Sequence, residues 1–584
     1  MKKGLFFVLS LSLSLLGSSC TFPFGYGDKE VNIYRNKKEP DKKIKVRFYN
    51  SLKRIPYIKI SEYIKEFLGT VPKIKEDKES YTYSLQNGAY LNFDFKNNTL
   101  SCNDLTSFSS LSPNNEVYEG QSFVFLESSE TTIKEVKTIS LDKYNIRLKS
   151  SSGEVYAPVS FLSKLFGGLM LFDVTYNGTD LYVFDMSSTG DNERAPGYYG
   201  ATYNVLLNNL ATRRYEDTAK YAYNELCFVF DNFKGETTRT IIDNDKLSLG
   251  LDNALTTYYP DLKEFLLSRD KLKYYAGLYT LFLGLYDGGH TGVLTNFITL
   301  ITGFLVYVQK QPFYDLFIDA ATDVVLKLKY QEAFKKARKN SFGVEGENYY
   351  YYSNETKTAF LGFDSFVVDY KGWDLFYKKE AGIPVNSDTF AFIRTSFDKA
   401  KEDGAENLII DLTTNGGGDT TAYNGIVGLL NHARSDMYYK DTFNNYFARD
   451  NYLVDLNLDG EFSEQDKFVT DNYDFNVTIM TSQFSFSCGN LLPSKLKDLG
   501  YKTIGQATGG GSCAVSLNST PDGINYANSS HITLFNDAGE NIDSGVFPDR
   551  YMSLPFIGDS IDMDASSFFD VKNIQNITDS LYKN

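Results

Sequence analysis

The sequence predicts an α/β fold preceded by a mainly helical region and a small α+β unit. Three observations predict it. From about Thr358, strand-like apolar runs alternate with helical ones, as in FAFIRTSFDKAKEDGAENLIIDLTTNGGG. Residues 201–340 carry helical periodicity, as in RRYEDTAKYAYNELCFVFDNF. Residues 44–187 twice run from a helix into strands, first in IPYIKISEYIKEFLG, stopped at Gly69, and again in EVYAPVSFLSKLFGG. The strands YTYSL, AYLNFDF and TLSCN follow the first helix, and a hairpin with Asn-Gly in its turn follows the second.

Length and composition set the bounds. The chain has 584 residues, enough for two to four domains. Hydrophobic residues at 42% and charged residues at 23% place it among globular proteins. A net charge of −15 argues against a nucleic-acid partner, because phosphate binding needs a basic face.

The N-terminus reads as an export signal. Lys2 and Lys3 precede the apolar stretch Leu5–Leu16, and small residues Gly17, Ser18 and Ser19 lead to Cys20. This resembles a bacterial lipoprotein signal: residues 1–19 are removed, Cys20 is lipidated, and 20–43 form a tether to the membrane. The other reading is a plain secretory signal, and either reading places the mature chain outside the cytoplasm, at the cell surface or in the periplasm. Cys102, Cys227, Cys488 and Cys513 remain, with their pairing open; a Cys488–Cys513 bridge and free buried thiols both fit. The apolar run Val293–Val308 is shorter than the ~20 residues of a spanning helix and reads as buried. Residues 188–200 read as a linker, 201–357 as the helical region, 358–560 as the α/β domain with an insertion at 437–470, and 561–584 as a C-terminal tail.

Three segments carry candidate chemistry. In NLIIDLTTNGGGD (407–419) an apolar strand ends in Asn415 and three glycines, whose amides can bind an anion. In TSQFSFSCGNLLPSKLKDLG (481–500) Ser485 and Ser487 sit at a strand-to-helix turn, where a helix N-terminus can stabilise an oxyanion or a serine can simply cap the helix. In LYDGGHTGVL (285–294) a glycine turn presents His290, one of three histidines.

Together these segments resemble the tail-specific (C-terminal processing) and tricorn-like serine peptidases. DLTTNGGGD is similar to their strand-and-glycine motif. SFSCGN with LKDLGYKTIGQATGGG is similar to their nucleophile strand, helix and glycine turn, and GVFPD (545–549) to their GV-x-PD motif. DGGHT resembles the histidine motif of the tricorn-like and retinoid-binding branches. The resemblance implies a Clp-protease/crotonase-like catalytic domain, Ser487 as nucleophile, and peptide or protein substrates, with no cofactor for catalysis. Gly511 stands where the tail-specific branch has its lysine base, so the resemblance points to His290 as base. Glu540 or Asp543 could support it, and the amides of Cys488 and of Gly416 or Gly417 would form the oxyanion hole. Residues 44–187 are similar to the small domain at the N-terminus of copper amine oxidases and read as a spacer or recognition unit. Separately, DLNLDGEFSEQD (455–466) matches a calcium loop through Asp455, Asn457, Asp459, Glu461 and Asp466, the other reading being an acidic surface turn. Two non-enzymatic readings stay open: a catalytically inactive relative that binds a peptide or ligand, and a surface interaction protein working through its N-terminal unit.

Overall fold

The computed structural model describes residues 25–35, 40–68, 73–77, 79–111, 122–151, 153–185, 214–294, 307–558 and 560–583. Cys20, the signal segment, the linker at 188–200, Gly69 and most of the Val293–Val308 run lie outside them. Among the described residues no helix is long and apolar enough to cross a membrane.

The element that positions the site is a six-stranded sheet. Its strands run Asn348–Ser353, Thr358–Phe363, Asn407–Asp411, Asn476–Thr481, Lys502–Gly505 and Arg550–Tyr551, in the same order in space as in sequence. All neighbours are parallel except the first pair. Alternating side chains feed two cores, as a period of two requires. Leu408 and Ile410 join Val477 and Ile479 under the helices Thr389–Asp403, Thr420–Leu430 and Cys488–Asp498. Ile409, Phe360 and Met480 face the other way, onto Phe334 of helix Tyr314–Phe342 and Ile574 of helix Val571–Tyr582. A sheet covered on both faces explains why its strands read as near-continuous apolar runs.

A second, antiparallel sheet joins the units. Its order is Gly292–Val293, Asn525–Phe535, Arg434–Asp441, Tyr446–Val454 and Val124–Thr131, with Cys513–Ser519 also on Asn525–Phe535. The N-terminal part is β-rich: a seven-stranded and a five-stranded sheet pack around helices Ile60–Leu68 and Val159–Leu165.

The structure corrects four boundaries. Residues 20–43 are not all tether, because Tyr26–Arg35 pairs with Lys42–Tyr49 and with Leu181–Asp185, burying Val31 and Ile33. The α/β domain starts at Asn348, inside the segment read as helical. The 437–470 insertion is a hairpin of the second sheet followed by helix Glu464–Thr470. The 561–584 tail is a covering helix of the parallel sheet. The four described cysteines are free and buried, so no Cys488–Cys513 bridge forms.

At Gly505, φ is +112° and a Cβ would meet Thr481 O at 2.2 Å. Gly505→Ala should therefore cost about 1–3 kcal/mol, read as a lower denaturant midpoint for the transition that exposes the buried Trp373.

Candidate active site

The site gathers at the carboxyl ends of the parallel strands, where open α/β sheets place their ligands. Strand Asn407–Asp411 leads into the glycine turn. Asn415 fixes that turn: its Nδ2 donates to Phe363 O at 2.8 Å and its Oδ1 accepts from Gly417 N at 2.8 Å. Strand Asn476–Thr481 leads into Ser487, which caps helix Cys488–Asp498 with φ 57° and ψ −122°. Such a conformation in a non-glycine residue costs about 1–3 kcal/mol and persists only when its surroundings enforce it. Here Phe486 N donates to Asn415 O and Ser487 N to Gly510 O, each at 3.0 Å, while Asn490 N and Leu491 N donate to Ser487 O. Gly417 leaves the space: a Cβ there would lie 2.4 Å from Ser487 Cβ. The result is a half-buried serine presented at a helix N-terminus.

The histidine arrives from the helical region. Helix Lys271–Gly284 ends just before Asp287, whose buried carboxylate shapes the turn. Its Oδ1 accepts from the amides of Gly289, His290 and Thr291, and its Oδ2 from the hydroxyls of Thr291 and Ser529. Burial alone would raise the Asp287 pKa; His290 and these hydrogen bonds outweigh it and hold it low. The turn lands on the nucleophile strand through Phe486. The His290 and Phe486 ring centroids are 4.7 Å apart, and a Cβ at Gly288 or Gly511 would come within 2.7 or 2.5 Å of the Phe486 ring.

His290 is buried, and burial lowers its pKa below 6.5. Asp287 and Asp543 act the other way, and Lys327 adds to the lowering. The imidazole is thus neutral at neutral pH, the form a general base needs. Its Nδ1 is buried without a hydrogen-bond partner, and the ring is not hydrogen-bonded to the Ser487 hydroxyl. Burial pushes the adjacent Cys488 thiol up to about 12, which leaves the hydroxyl as the candidate nucleophile at this turn.

The structure separates the supporting residues. Asp543 is buried beside the site, but its carboxylate is held by Thr238 N at 2.6 Å, Thr238 Oγ1 at 2.9 Å and Ser512 N at 3.0 Å. It touches the imidazole only through its field. Glu540 is exposed and bonded to Asn536, away from these contacts, so the proposal that it supports His290 is corrected. The oxyanion expectation also changes. Gly416 N donates to Asp364 O at 3.1 Å and Gly417 N to Asn415 Oδ1, so both are already committed. The amides of Gly418 and Cys488 have no acceptor among the described residues.

Sequence reasoning missed Asp287, although it lay inside the quoted motif, and Gly418, although it stood in the glycine run. It also missed Arg239, whose guanidinium ties Gly509 O, Thr508 O and Ser544 O together. Nothing local marks that arginine. Asn490 donates to Ile542 O and accepts from Thr508 Oγ1, binding the helix to the segment before GVFPD and to the turn after Gly505.

The acidic loop is hydrogen-bonded shut. Asp455 accepts from Asp459 N, Gly460 N and the Tyr377 hydroxyl. Asp466 accepts from Leu456 N, Asn457 N and Ser463 N and completes a capping box for helix Glu464–Thr470. Asn457 and Asp459 bond to each other, and Asp459 accepts from Glu461 N. Among the described residues no three His, Cys, Asp or Glu side chains converge as a metal site. Asp466 thus reaches into the loop through one oxygen and caps the following helix through the other.

Residues 383–552 match the profile of peptidase family S41. Among solved structures, a candidate peptidase from Parabacteroides merdae ATCC 43184 is 14% identical with a TM-score of 0.40, over 62% of this chain and 97% of that one. The photosystem II D1 C-terminal processing protease is 21% identical with a TM-score of 0.24, over 34% of this chain and 42% of that one, so less than half of its length is spanned. Tricorn protease is 16% identical with a TM-score of 0.20, over 34% of this chain and 16% of that one. No curated protein matches the chain.

Replacing Asp287 by Asn removes a charged acceptor from five donors, a loss of about 1.5–3 kcal/mol. Serine acylation by a fluorophosphonate should slow by about ten- to a hundredfold. Glu540→Gln should leave the same rate within about twofold, as a solvated turn residue would.

Proposed function

We propose that the protein is a serine-type peptidase in which Ser487 attacks the substrate carbonyl and His290 takes its proton. The observation that carries this reading is the meeting of the Asp287–Thr291 turn with the nucleophile strand at Phe486, 4.7 Å from the His290 ring. It sets a buried imidazole against the residue that precedes a strained serine at a helix N-terminus. In the reaction, Ser487 Oγ forms the bond to the carbonyl carbon as its proton passes to His290. The free amides of Cys488 and Gly418 are the donors assigned to the tetrahedral oxyanion; each such donor is worth about 3 kcal/mol of barrier. Asp543 and Asp287 stabilise the imidazolium that forms. The one-step order of the parallel strands supports a Clp-protease/crotonase-like class for the domain. In this reading the chain is exported and anchored through Cys20, and its N-terminal unit, akin to that of copper amine oxidases, serves recognition or spacing. No nucleic acid takes part.

A second reading, an inactive relative that binds a peptide, is favoured by the unbonded His290 Nδ1 and the missing Ser487–His290 hydrogen bond. Catalytic hydrogen bonds often tighten only with substrate, so covalent labelling decides between the two. Ser487→Ala should abolish labelling by a fluorophosphonate, and His290→Ala should slow it by at least about a hundredfold. An unlabelled wild-type ectodomain would establish the binding protein instead. Because protonated His290 cannot accept the serine proton, the labelling rate should fall as pH falls, with a midpoint below 6.5. A midpoint near 8 would instead implicate Lys327, whose pKa burial lowers to about 8.

A further inference from the structure

Lys327 belongs to none of the motifs above, yet it reaches the centre of the site. It lies on helix Tyr314–Phe342, and its ammonium sits 3.9 Å from the Phe486 ring centroid. The same ammonium donates to Gly288 O, which also accepts from the Tyr286 hydroxyl at 3.0 Å. One side chain thus holds the histidine turn from above and the residue before the nucleophile from its ring face. Eleven residues along the helix, Arg338 bonds Asp364 and Thr414 at 3.3 Å beneath the glycine turn. Eleven residues are about three turns, roughly 16 Å, and return to the same face. The helix therefore braces both halves of the site.

We propose that Lys327 is a positioning residue for His290: its ammonium clamps the Asp287–Thr291 turn onto Phe486 and sets a positive charge facing the imidazole. The proposal rests on the Ser487–His290 reading. The charges facing His290 are Asp287 on its own turn, Asp543 from the segment after strand Asn525–Phe535, and Lys327 from the helix. Lys234 faces both carboxylates, and Arg239 faces Lys327 and Asp543. Of the three that act on the imidazole directly, Lys327 alone is cationic. Its own pKa of about 8 leaves it charged throughout the pH range in which His290 titrates.

The test measures fluorophosphonate labelling of Ser487 from pH 5 to 9 in the full chain and three variants. Lys327→Arg keeps the charge, Lys327→Gln keeps a donor without charge, and Lys327→Met removes both. The acid midpoint should stay in place for Arg and rise by about half to one pH unit for Gln and Met. The plateau rate should fall further for Met than for Gln. If Met fails to fold, as read by its unfolding transition, Arg and Gln carry the comparison. Coincident midpoints for Arg and Gln would overturn the proposal, whatever happens to the rate. Labelling that persists in Ser487→Ala would overturn the Ser487 reading itself, a separate and distinguishable failure.

Discussion

The site depends on one aromatic ring. Phe486 stands next to Ser487 in the chain and packs against the turn that carries the imidazole. It fits because its neighbours lack side chains: Gly288, Gly289 and Gly511 all pack flat against it. Two of those glycines also hold φ of +104° and +83°, so space and backbone conformation both demand the same residue. Close packing of this kind has little slack. A shift in any of the three loops moves His290 relative to Ser487.

The structure supports this contact from several directions. Asp287 fixes the histidine turn from within, and Ser529 reaches Asp287 from the second sheet. Asp543 and Arg239 bind the third glycine turn to the segment 237–239. The two carboxylates are buried and accept from backbone amides and hydroxyls, and the guanidinium donates to backbone carbonyls. All three hold loops in register, and the two carboxylates lend their fields to the imidazole.

The architecture was legible where local pattern equals local structure. The runs LIID and TIMT, the helix ending at Gly404 and the glycine turns all announce themselves, because strand period and turn chemistry are local properties. Ser487 and His290 could be singled out because each stands in a short motif. What was not legible is whatever depends on distant chain. Lys327 sits in an ordinary charged helix, and Arg239 in a polar loop. The strand at 26–35 was hidden by its charges, since only Val31 and Ile33 of it enter the core. The acidic loop shows the same limit: its spacing is that of a metal loop, but the amides that its carboxylates accept from could not be read from the spacing.

The bond from Ser529 to Asp287 spans 242 residues of sequence. The short strand Gly292–Val293, just past the histidine, likewise finds its partners only at Ala527 and Tyr526. A chain still emerging from the ribosome therefore holds Ser487 and His290 without the scaffold that unites them. Their arrangement would arrive late, as a property of the finished molecule.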